Sequence, residues 1–374
     1  MKPLALYVHI PFCRSKCIYC DFASWPNSES RIGPYLAALK EELIGWRGAL
    51  KDYELSTMFI GGGTPSILSG DQIASLMESV RSVLPVREGA EITMEANPGT
   101  TSPGQLETCR RAGVNRISFG AQAMDDGLLK KLGRIHTAEE IAGAVGMARD
   151  AGFDNLSLDL MYALPGQNMD LWMDTLDRAV KLAPDHISAY SLIVEEGTPM
   201  YDLAEGGKVA FPDDDACVDM QRAAIGFLGA AGYERYEISN YARPGRECRH
   251  NIVYWERGEY LGLGCAAHSL MNGERFENPR SLNEYLAGVR RCESVVLTRE
   301  DAMEEALMLS TRMTKGLDLG LYERQFGEDF VRRHEKAVGR MEKLGLVMIE
   351  GGFLRLTREG LEVQNAVVVE LLDE

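Results

Sequence analysis

Apolar and amphipathic segments alternate along the first half of the chain, and this alternation restricts its fold more than any other feature. Segments that are apolar almost throughout lie in parallel sheets that helices cover on the outside. The pattern therefore predicts an α/β fold. The predicted strands are Leu4–Ile10, Leu55–Ile60, Glu91–Ala96, Val114–Phe119, Leu156–Tyr162 and His186–Leu192. The predicted helices between them are Pro34–Arg47, Asp71–Leu84, Pro103–Ala112, Ala138–Ala151 and Asp170–Leu182.

A short sequence motif recurs where a predicted helix is followed by the next strand. Arg111-Ala-Gly-Val, Asp150-Ala-Gly-Phe and Ala230-Ala-Gly-Tyr have the same form, and the last precedes a predicted strand at Arg235–Ser239. Glycine can adopt the left-handed conformation that ends a helix. Because these units recur without the phosphate-binding fingerprint of a dinucleotide fold, we predict a partial (β/α) barrel.

The pattern changes near residue 295. Arg299–Met313 and Gly320–Leu344 are predicted helices, and the strands Val347–Ile349 and Leu354–Leu356 flank Gly351-Gly352. Helices followed by a glycine hairpin suggest a small winged-helix-like domain. Such domains often bind DNA, but the last helix is acidic and apolar, which favours packing. At ~150 residues per domain, 374 residues suggest about two domains. We predict a barrel over 1–235, a connecting segment over 236–298 and a C-terminal domain over 299–374.

The net charge of −16 makes nucleic acid an unexpected partner, because such a field repels phosphate backbones. No segment reaches the ~18 apolar residues that a bilayer span requires. The N-terminus lacks the basic region and long apolar stretch of a signal peptide. We therefore expect a cytoplasmic protein whose eight cysteines are free, catalytic or metal-bound.

Cys13-Arg-Ser-Lys-Cys17-Ile-Tyr-Cys20 follows the first predicted strand directly. Loops at the carboxyl ends of barrel strands carry active sites, and cysteines are the usual ligands of iron–sulfur clusters. Three thiolates would leave one iron of a 4Fe–4S cluster open to a further ligand. The alternative is zinc, since His9 stands four residues before Cys13 and could complete a Cys3His set.

This cysteine spacing resembles the signature of the radical S-adenosylmethionine (radical SAM) superfamily. The run Tyr7-Val-His-Ile-Pro-Phe-Cys13 is similar to the branch that contains oxygen-independent coproporphyrinogen III dehydrogenase (HemN) and the haem chaperones called HemW. The resemblance covers nearly the whole chain. It implies a 4Fe–4S cluster on Cys13, Cys17 and Cys20, with S-adenosylmethionine as a second cofactor.

The resemblance also implies which residues hold S-adenosylmethionine. Glycines in the turn after the second strand let the backbone approach a ligand, with N–H groups that point outward, and this turn resembles the family's site for the amino group of the methionine moiety. A carboxylate at the end of the third strand would hold the ribose hydroxyls. Further residues stand at successive strand ends. The candidates are Tyr7, Tyr19, Gly62, Gly63, Thr64, Glu95, Gln122, Arg134, Asp159 and Ile193.

His250-Asn-Ile-Val-Tyr-Trp255 resembles the haem-binding motif of the HemW branch. An imidazole can ligate haem iron, and aromatic rings pack against a porphyrin face. We therefore predict His250 as an iron ligand, with Tyr254 and Trp255 against the macrocycle. Arg246 and Arg249 could pair with the propionates. The secondary candidates for haem binding are Cys248, Cys265 and His268.

Two features depart from the dehydrogenase pattern. HemN-type enzymes carry another cysteine two positions after the triad, where this chain has Phe22, and only twelve residues precede Cys13. The resemblance therefore favours a haem chaperone that delivers haem to apo-proteins such as respiratory cytochromes. It also admits a membrane-associated recipient and a homodimer. The alternatives are coproporphyrinogen III dehydrogenase and a radical SAM enzyme that acts on another substrate, including tRNA.

Overall fold

A computed structural model describes residues 1–372. The strands of the first half are β1 (Lys2–Ile10), β2 (Phe12–Cys13), β3 (Trp25–Pro26), β4 (Tyr53–Gly62), β5 (Val86–Ala96), β6 (Arg116–Gln122), β7 (Leu156–Tyr162) and β8 (His186–Ser191). The later strands are β9 (Glu234–Arg235), β10 (Asn240–Ala242), β11 (Tyr260–Leu263), β12 (His268–Met271), β13 (Glu274–Glu277), β14 (Glu293–Val296), β15 (Leu317–Asp318), β16 (Val347–Glu350) and β17 (Phe353–Leu356).

The helices begin at α1 (Ile32–Trp46) and fall into two groups. Those of the first 230 residues continue with α2 (Gly70–Val83), α3 (Pro103–Ala112), α4 (Asp126–Lys131), α5 (Ala138–Asp150), α6 (Met169–Lys181), α7 (Pro199–Glu205) and α8 (Asp214–Ala230). The later ones are α9 (Arg249–Trp255), α10 (Leu282–Leu286), α11 (Arg299–Ser310), α12 (Leu319–Phe326), α13 (Phe330–Arg333), α14 (Glu335–Lys343), α15 (Arg358–Glu362) and α16 (Gln364–Leu372). Short 3-10 helices cover Glu29–Arg31, Pro65–Ile67 and Pro98–Thr100.

Twelve strands form one sheet in the order β14-β13-β12-β11-β1-β4-β5-β6-β7-β8-β10-β9. The seven strands from β11 to β8 run parallel, and the strands at both edges are antiparallel. The predicted α/β fold with a mostly parallel sheet is confirmed. All six strands predicted for the first half form, with ends that shift by a few residues.

Burial along the central strands explains why their sequences lack a strict alternation. In β7 every residue is buried except Asp159, which is half-buried. In β1 the half-buried Tyr7 interrupts buried residues in the same way. Helices cover one face of these strands and the other face turns inward, so both faces select apolar side chains. The few polar or half-buried positions mark the inner face near the strand ends.

The repeated Ala-Gly motif correctly predicted a parallel strand at its first two occurrences but not at the third. Gly113, Gly152 and Gly232 all have positive φ after a helix, as predicted. The strand predicted at Arg235–Ser239, however, is replaced by the two-residue β9 and by β10, which pairs antiparallel with β8. The parallel array therefore ends at β8, because the chain after Gly232 turns back along that edge.

Residues 260–296 extend the other edge of the sheet. β11 pairs parallel with β1, and β12, β13 and β14 follow as an antiparallel meander. No strand was predicted here, because these segments of four residues are short and mixed in polarity. The division of the chain at residues 235 and 298 stays a prediction.

The C-terminal residues build a second hydrophobic core. α11 leads into a three-stranded antiparallel sheet, in which β16 and β17 form the predicted glycine hairpin. The single helix predicted over Gly320–Leu344 is wrong. Gly327 ends α12 in the left-handed conformation, and α13 and α14 follow as separate helices. Over residues 1–372, no helix combines the length and the apolar character that crossing a membrane requires.

Candidate functional site

A cavity of about 880 Å³ opens at the carboxyl ends of the parallel strands. This volume lies toward the upper end of the ~300–1,000 Å³ range of ligand pockets. The cysteine loop and the glycine-rich turn line one part of the cavity, which we call the cysteine wall. The ends of β5 to β8 line a second part, which we call the floor, and α9 with the β12–β13 hairpin lines a third. One cavity therefore brings together segments that are more than 200 residues apart in sequence.

All three cysteines of the triad line this cavity. Thr64 Oγ1 donates a hydrogen bond to Cys13 Sγ at 3.5 Å, and Arg134 Nη1 donates one to Cys17 Sγ at 3.4 Å. Burial raises the pKa of the Cys13 and Cys20 thiols, so binding a metal cluster would release their protons. Three thiols with donors directed at their sulfur atoms fit a 4Fe–4S cluster, whose sulfur ligands are tuned by such hydrogen bonds.

The zinc alternative requires His9, and its ring is already engaged. Nδ1 lies 3.0 Å from the Tyr7 hydroxyl and Nε2 lies 2.8 Å from the Ala23 carbonyl oxygen. Among residues 1–372, no group of three or more His, Cys, Asp or Glu side chains is placed to hold a single metal ion. His9 instead positions Tyr7 and the loop that carries the cysteines.

The glycine-rich turn packs so tightly that side chains would not fit. Gly62 has a φ of 109°, and a Cβ there would lie 2.5 Å from the His9 ring. The sequence suggested that the N–H groups of this turn point outward, but they do not. Those of Gly63 and Thr64 donate to the Ile10 and Phe12 carbonyls at 2.8 Å, and that of Gly62 donates to Glu95. Backbone pairing with the cysteine loop therefore consumes these donors.

Glu95 and Asp159 are the two carboxylates that line the cavity floor. Glu95 Oε2 accepts the Gly62 N–H at 3.1 Å. Burial, with a smaller contribution from the charge of Asp159, raises the pKa of Glu95 to about 8. Asp159 accepts hydrogen bonds from Ser118 Oγ at 3.1 Å and Ser188 Oγ at 2.8 Å, while burial raises its pKa. In the cofactor-free protein, the surroundings of Glu95 therefore favour its protonated form.

The remaining predicted cofactor residues also line the cavity. Arg134 Nη2 donates to the Gly120 carbonyl oxygen at 2.6 Å, which holds the guanidinium beside Cys17. Gln122 Oε1 accepts the Tyr190 hydroxyl at 3.1 Å. Ile193 is 66% exposed, although it is apolar, and it follows the end of β8. The structure therefore collects Tyr7, Tyr19, Gly62, Gly63, Thr64, Glu95, Gln122, Arg134, Asp159 and Ile193 around one space.

The aromatic residues of the His250 motif face this cavity, but His250 does not line it. His250 is buried, and its Nδ1 lies 2.9 Å from Thr57 Oγ1. Its Nε2 lies 2.8 Å from the Tyr254 hydroxyl, and its ring lies 5.4 Å from that of Phe59. Burial lowers the pKa of His250 to about 3. With both ring nitrogens hydrogen-bonded, His250 supports Tyr254, and its role as an iron ligand stays a prediction.

The arginines predicted to meet propionates lie elsewhere. Arg249 Nη2 donates to the Ser56 and Gly89 carbonyls, and Arg246 lies 3.9 Å from the Asp154 carboxylate. Neither lines the cavity, because both precede the turn of α9 that reaches it. The basic residues that line the wall beside the motif are Arg257, His268, Arg275 and Arg280.

Sequence reasoning missed those arginines, because each stands alone in a polar stretch with no motif around it. The sequence held one signal for these arginines: Arg257 lies two residues after Trp255 of the motif. Of the secondary candidates, His268 lines the cavity and its side chain is 57% exposed. Cys248 and Cys265 are both buried. Cys248 hydrogen-bonds to Glu91 and Cys265 to Tyr35, so both thiols serve the packing of the protein interior.

Two protein families and several known proteins match this chain. Residues 7–179 match the Radical SAM superfamily and residues 297–363 match the HemN C-terminal domain. "Heme chaperone HemW" of Bacillus subtilis (strain 168) is 34% identical over 374 residues, which cover 98% of this chain and 99% of that protein. "Heme chaperone HemW" of Escherichia coli (strain K12) is 44% identical over 269 residues, which cover 72% of this chain and 70% of that protein.

A solved structure shares the architecture. Coproporphyrinogen III oxidase (HemN) from Escherichia coli, a radical SAM enzyme, superimposes with a TM-score of 0.86 at 26% identity, covering 99% of this chain and 90% of that one. The likeness in sequence to the Bacillus subtilis chaperone extends over almost the full length of both proteins, and the cysteine, glycine and His250 motifs fall within it. The chain belongs to the HemW heme chaperone family within the Radical SAM superfamily.

Proposed function

We propose that this protein is a haem chaperone that binds a 4Fe–4S cluster, S-adenosylmethionine and haem and passes haem to apo-proteins. The observation that carries the proposal is the single cavity that joins the cysteine triad to Tyr254 and Trp255. Full-length likeness to relatives named heme chaperones supports it. All eight cysteines are free in the described chain, which suits a cytoplasmic protein.

Within this proposal, the cysteine wall holds the cluster and the floor holds S-adenosylmethionine. When bound, the cluster supplies an electron and an iron atom open to a ligand. Arg134 donates a hydrogen bond to Cys17 Sγ from 3.4 Å and would hold that ligand in place. Glu95 and Asp159 place two acids where a cationic or hydroxyl-bearing cofactor would meet them.

Haem would occupy the part of the same cavity that α9 and the β12–β13 hairpin line. Tyr254 and Trp255 offer aromatic surface, and Ile193 on the other side is exposed although apolar. Of the two candidate histidines, His268 lines the cavity, and its Nε2 pairs with Glu277, which leaves Nδ1 for a ligand. His250 would have to leave its hydrogen bond with Tyr254 to reach the cavity. We therefore propose that His268 would ligate the haem iron and that His250 positions Tyr254. Respiratory cytochromes, a membrane-associated recipient and a homodimer remain predictions.

Coproporphyrinogen III dehydrogenase is the second candidate, because the solved HemN structure matches 99% of this chain. At the position of that enzyme's additional cysteine, Phe22 is 64% exposed and lines the cavity. An apolar ring there adds porphyrin-binding surface and supplies no thiol. This difference favours the chaperone.

The test is to reconstitute the cluster anaerobically and to titrate the protein with haem while its visible spectrum is recorded. The same preparation is incubated with coproporphyrinogen III, S-adenosylmethionine and a reductant. We expect saturable haem binding and no protoporphyrinogen IX. Turnover to protoporphyrinogen IX would establish the dehydrogenase in place of the chaperone.

A further inference from the structure

Three arginines stand together on the cavity wall beside the His250 motif. Arg257 follows α9, Arg275 lies on β13, and Arg280 follows that strand. We call these residues the arginine wall. They gather positive charge in a chain whose net charge is −16. Charged side chains that converge on a cavity otherwise lined by apolar and aromatic groups usually fix the orientation of a ligand.

The arginine wall is only partly neutralised by the protein. Glu305 of α11, whose side chain is 12% exposed, accepts a hydrogen bond from Arg257 Nε at 2.8 Å and another from Arg275 Nη1. The guanidinium of Arg280 has no hydrogen bond or ion pair with any other of residues 1–372 and is exposed. One carboxylate thus pairs with two of the three guanidinium groups, and the third has no partner among these residues.

A second acid on β13, the strand of Arg275, is already paired. Glu277 Oε2 lies 3.0 Å from His268 Nε2, on the hairpin that carries Arg275. The arginine wall therefore keeps an excess of positive charge that a bound anion could balance. Arginine binds carboxylates with two parallel hydrogen bonds, which makes it the residue best suited to that role.

Aromatic and apolar groups adjoin the arginine wall. Trp255 stands two residues before Arg257, and the Tyr254 ring meets the Tyr260 ring edge-on at a centroid distance of 4.7 Å. Leu270 and Leu309 also line this part of the cavity. A ligand that matches the whole surface has a large apolar ring system with carboxylates at one edge.

We propose that the arginine wall binds the two propionates of haem and so fixes which edge of the porphyrin enters the cavity. The inference rests on the proposed haem-binding function and adds to it the subsite that recognises the carboxylates. It also replaces Arg246 and Arg249, which lie outside the cavity, as the propionate partners.

The test compares haem with its dimethyl ester, which keeps the ring and iron but has no carboxylate. Both ligands are titrated into the cluster-loaded wild-type protein, Arg280→Gln, Arg275→Gln and the control Arg246→Gln. We expect the wild type and the control to prefer haem by roughly tenfold to a hundredfold, the range of one or two hydrogen bonds to charged groups. In the two arginine-wall variants, haem affinity falls toward that of the ester, while ester affinity is unchanged.

The outcomes separate the two proposals. If the wild type binds neither ligand, the haem-binding function itself is wrong. If it binds haem and the ester equally well, or if Arg280→Gln keeps the full preference, haem binding stands and the arginine wall is not the propionate subsite. Because Arg280 has no partner within the described residues, its substitution tests the subsite even if Arg275→Gln, which removes a partner of Glu305, disturbs folding.

Discussion

Glu95 links the stability of the cofactor-free protein to pH in a way that one substitution can test. It is half-buried on the cavity floor, and burial together with the nearby Asp159 raises its pKa from the ordinary value of 4.5 to about 8. In the unfolded chain the same carboxyl ionises freely. Glu95→Gln keeps an oxygen that can accept the Gly62 N–H but removes the ionisation.

The sign follows from proton binding. Below about pH 4.5 both states are protonated, and Glu95 has no effect on the pH dependence of the free energy of unfolding. Between about 4.5 and 8 the folded state binds more protons, so this free energy falls as pH rises, and above about 8 the loss is complete. At pH 7, about 2.5 units above the ordinary pKa of 4.5, the loss amounts to about 3 kcal/mol, at ~1.36 kcal/mol per pH unit. Because Glu95 lines an open cavity, water reduces this cost, and we expect ~1–3 kcal/mol.

Glu95→Gln should therefore stabilise the cofactor-free protein at pH 7 by ~1–3 kcal/mol and weaken its affinity for S-adenosylmethionine. Urea unfolding at several pH values between about 5 and 9 measures the first effect, and calorimetric titration of the cluster-loaded protein measures the second. Glu88→Gln, at an exposed position of the same strand β5, is the matched control. If wild type and Glu95→Gln lose stability in parallel between pH 5 and 8, the raised pKa of Glu95 is refuted.

Three further predictions concern other parts of the cavity. Cys17→Ser should lose most of the iron and the brown colour of the reconstituted protein, and full iron retention would contradict the cluster assignment. His250→Ala should weaken haem binding at unchanged iron content, because Tyr254 loses its partner, whereas His268→Ala should also change the visible spectrum of bound haem. A spectral change with His250→Ala alone would restore His250 as the ligand. Gly62→Ala should lower the free energy of unfolding by ~1–3 kcal/mol, measured in urea, because its Cβ meets the His9 ring, and an unchanged midpoint would disprove the clash.

Local sequence patterns determined the central part of the fold. The strands that became β1 and β4 to β8 are apolar because both faces are covered, and this signal needs no knowledge of distant residues. The spacing of Cys13, Cys17 and Cys20 likewise predicts a common ligand, since three thiols within eight residues of one loop remain neighbours in any compact arrangement. The edge formed by β9 and β10 was predicted as one strand at Arg235–Ser239, and β11 to β14 were missed, because strands of two to four residues carry too little periodicity.

Only the tertiary structure decided which residues of each motif reach the cavity. His250 and Tyr254 are four residues apart on α9 and lie close enough to hydrogen-bond, yet the first is buried beneath the second. Arg246 and Arg249 look like propionate partners because they are close to the motif in sequence. The arginines that line the cavity instead come from the end of α9 and from β13, which the sheet order brings together. Burial and direction depend on the packing of α9 against the sheet, and sequence spacing alone does not contain that information.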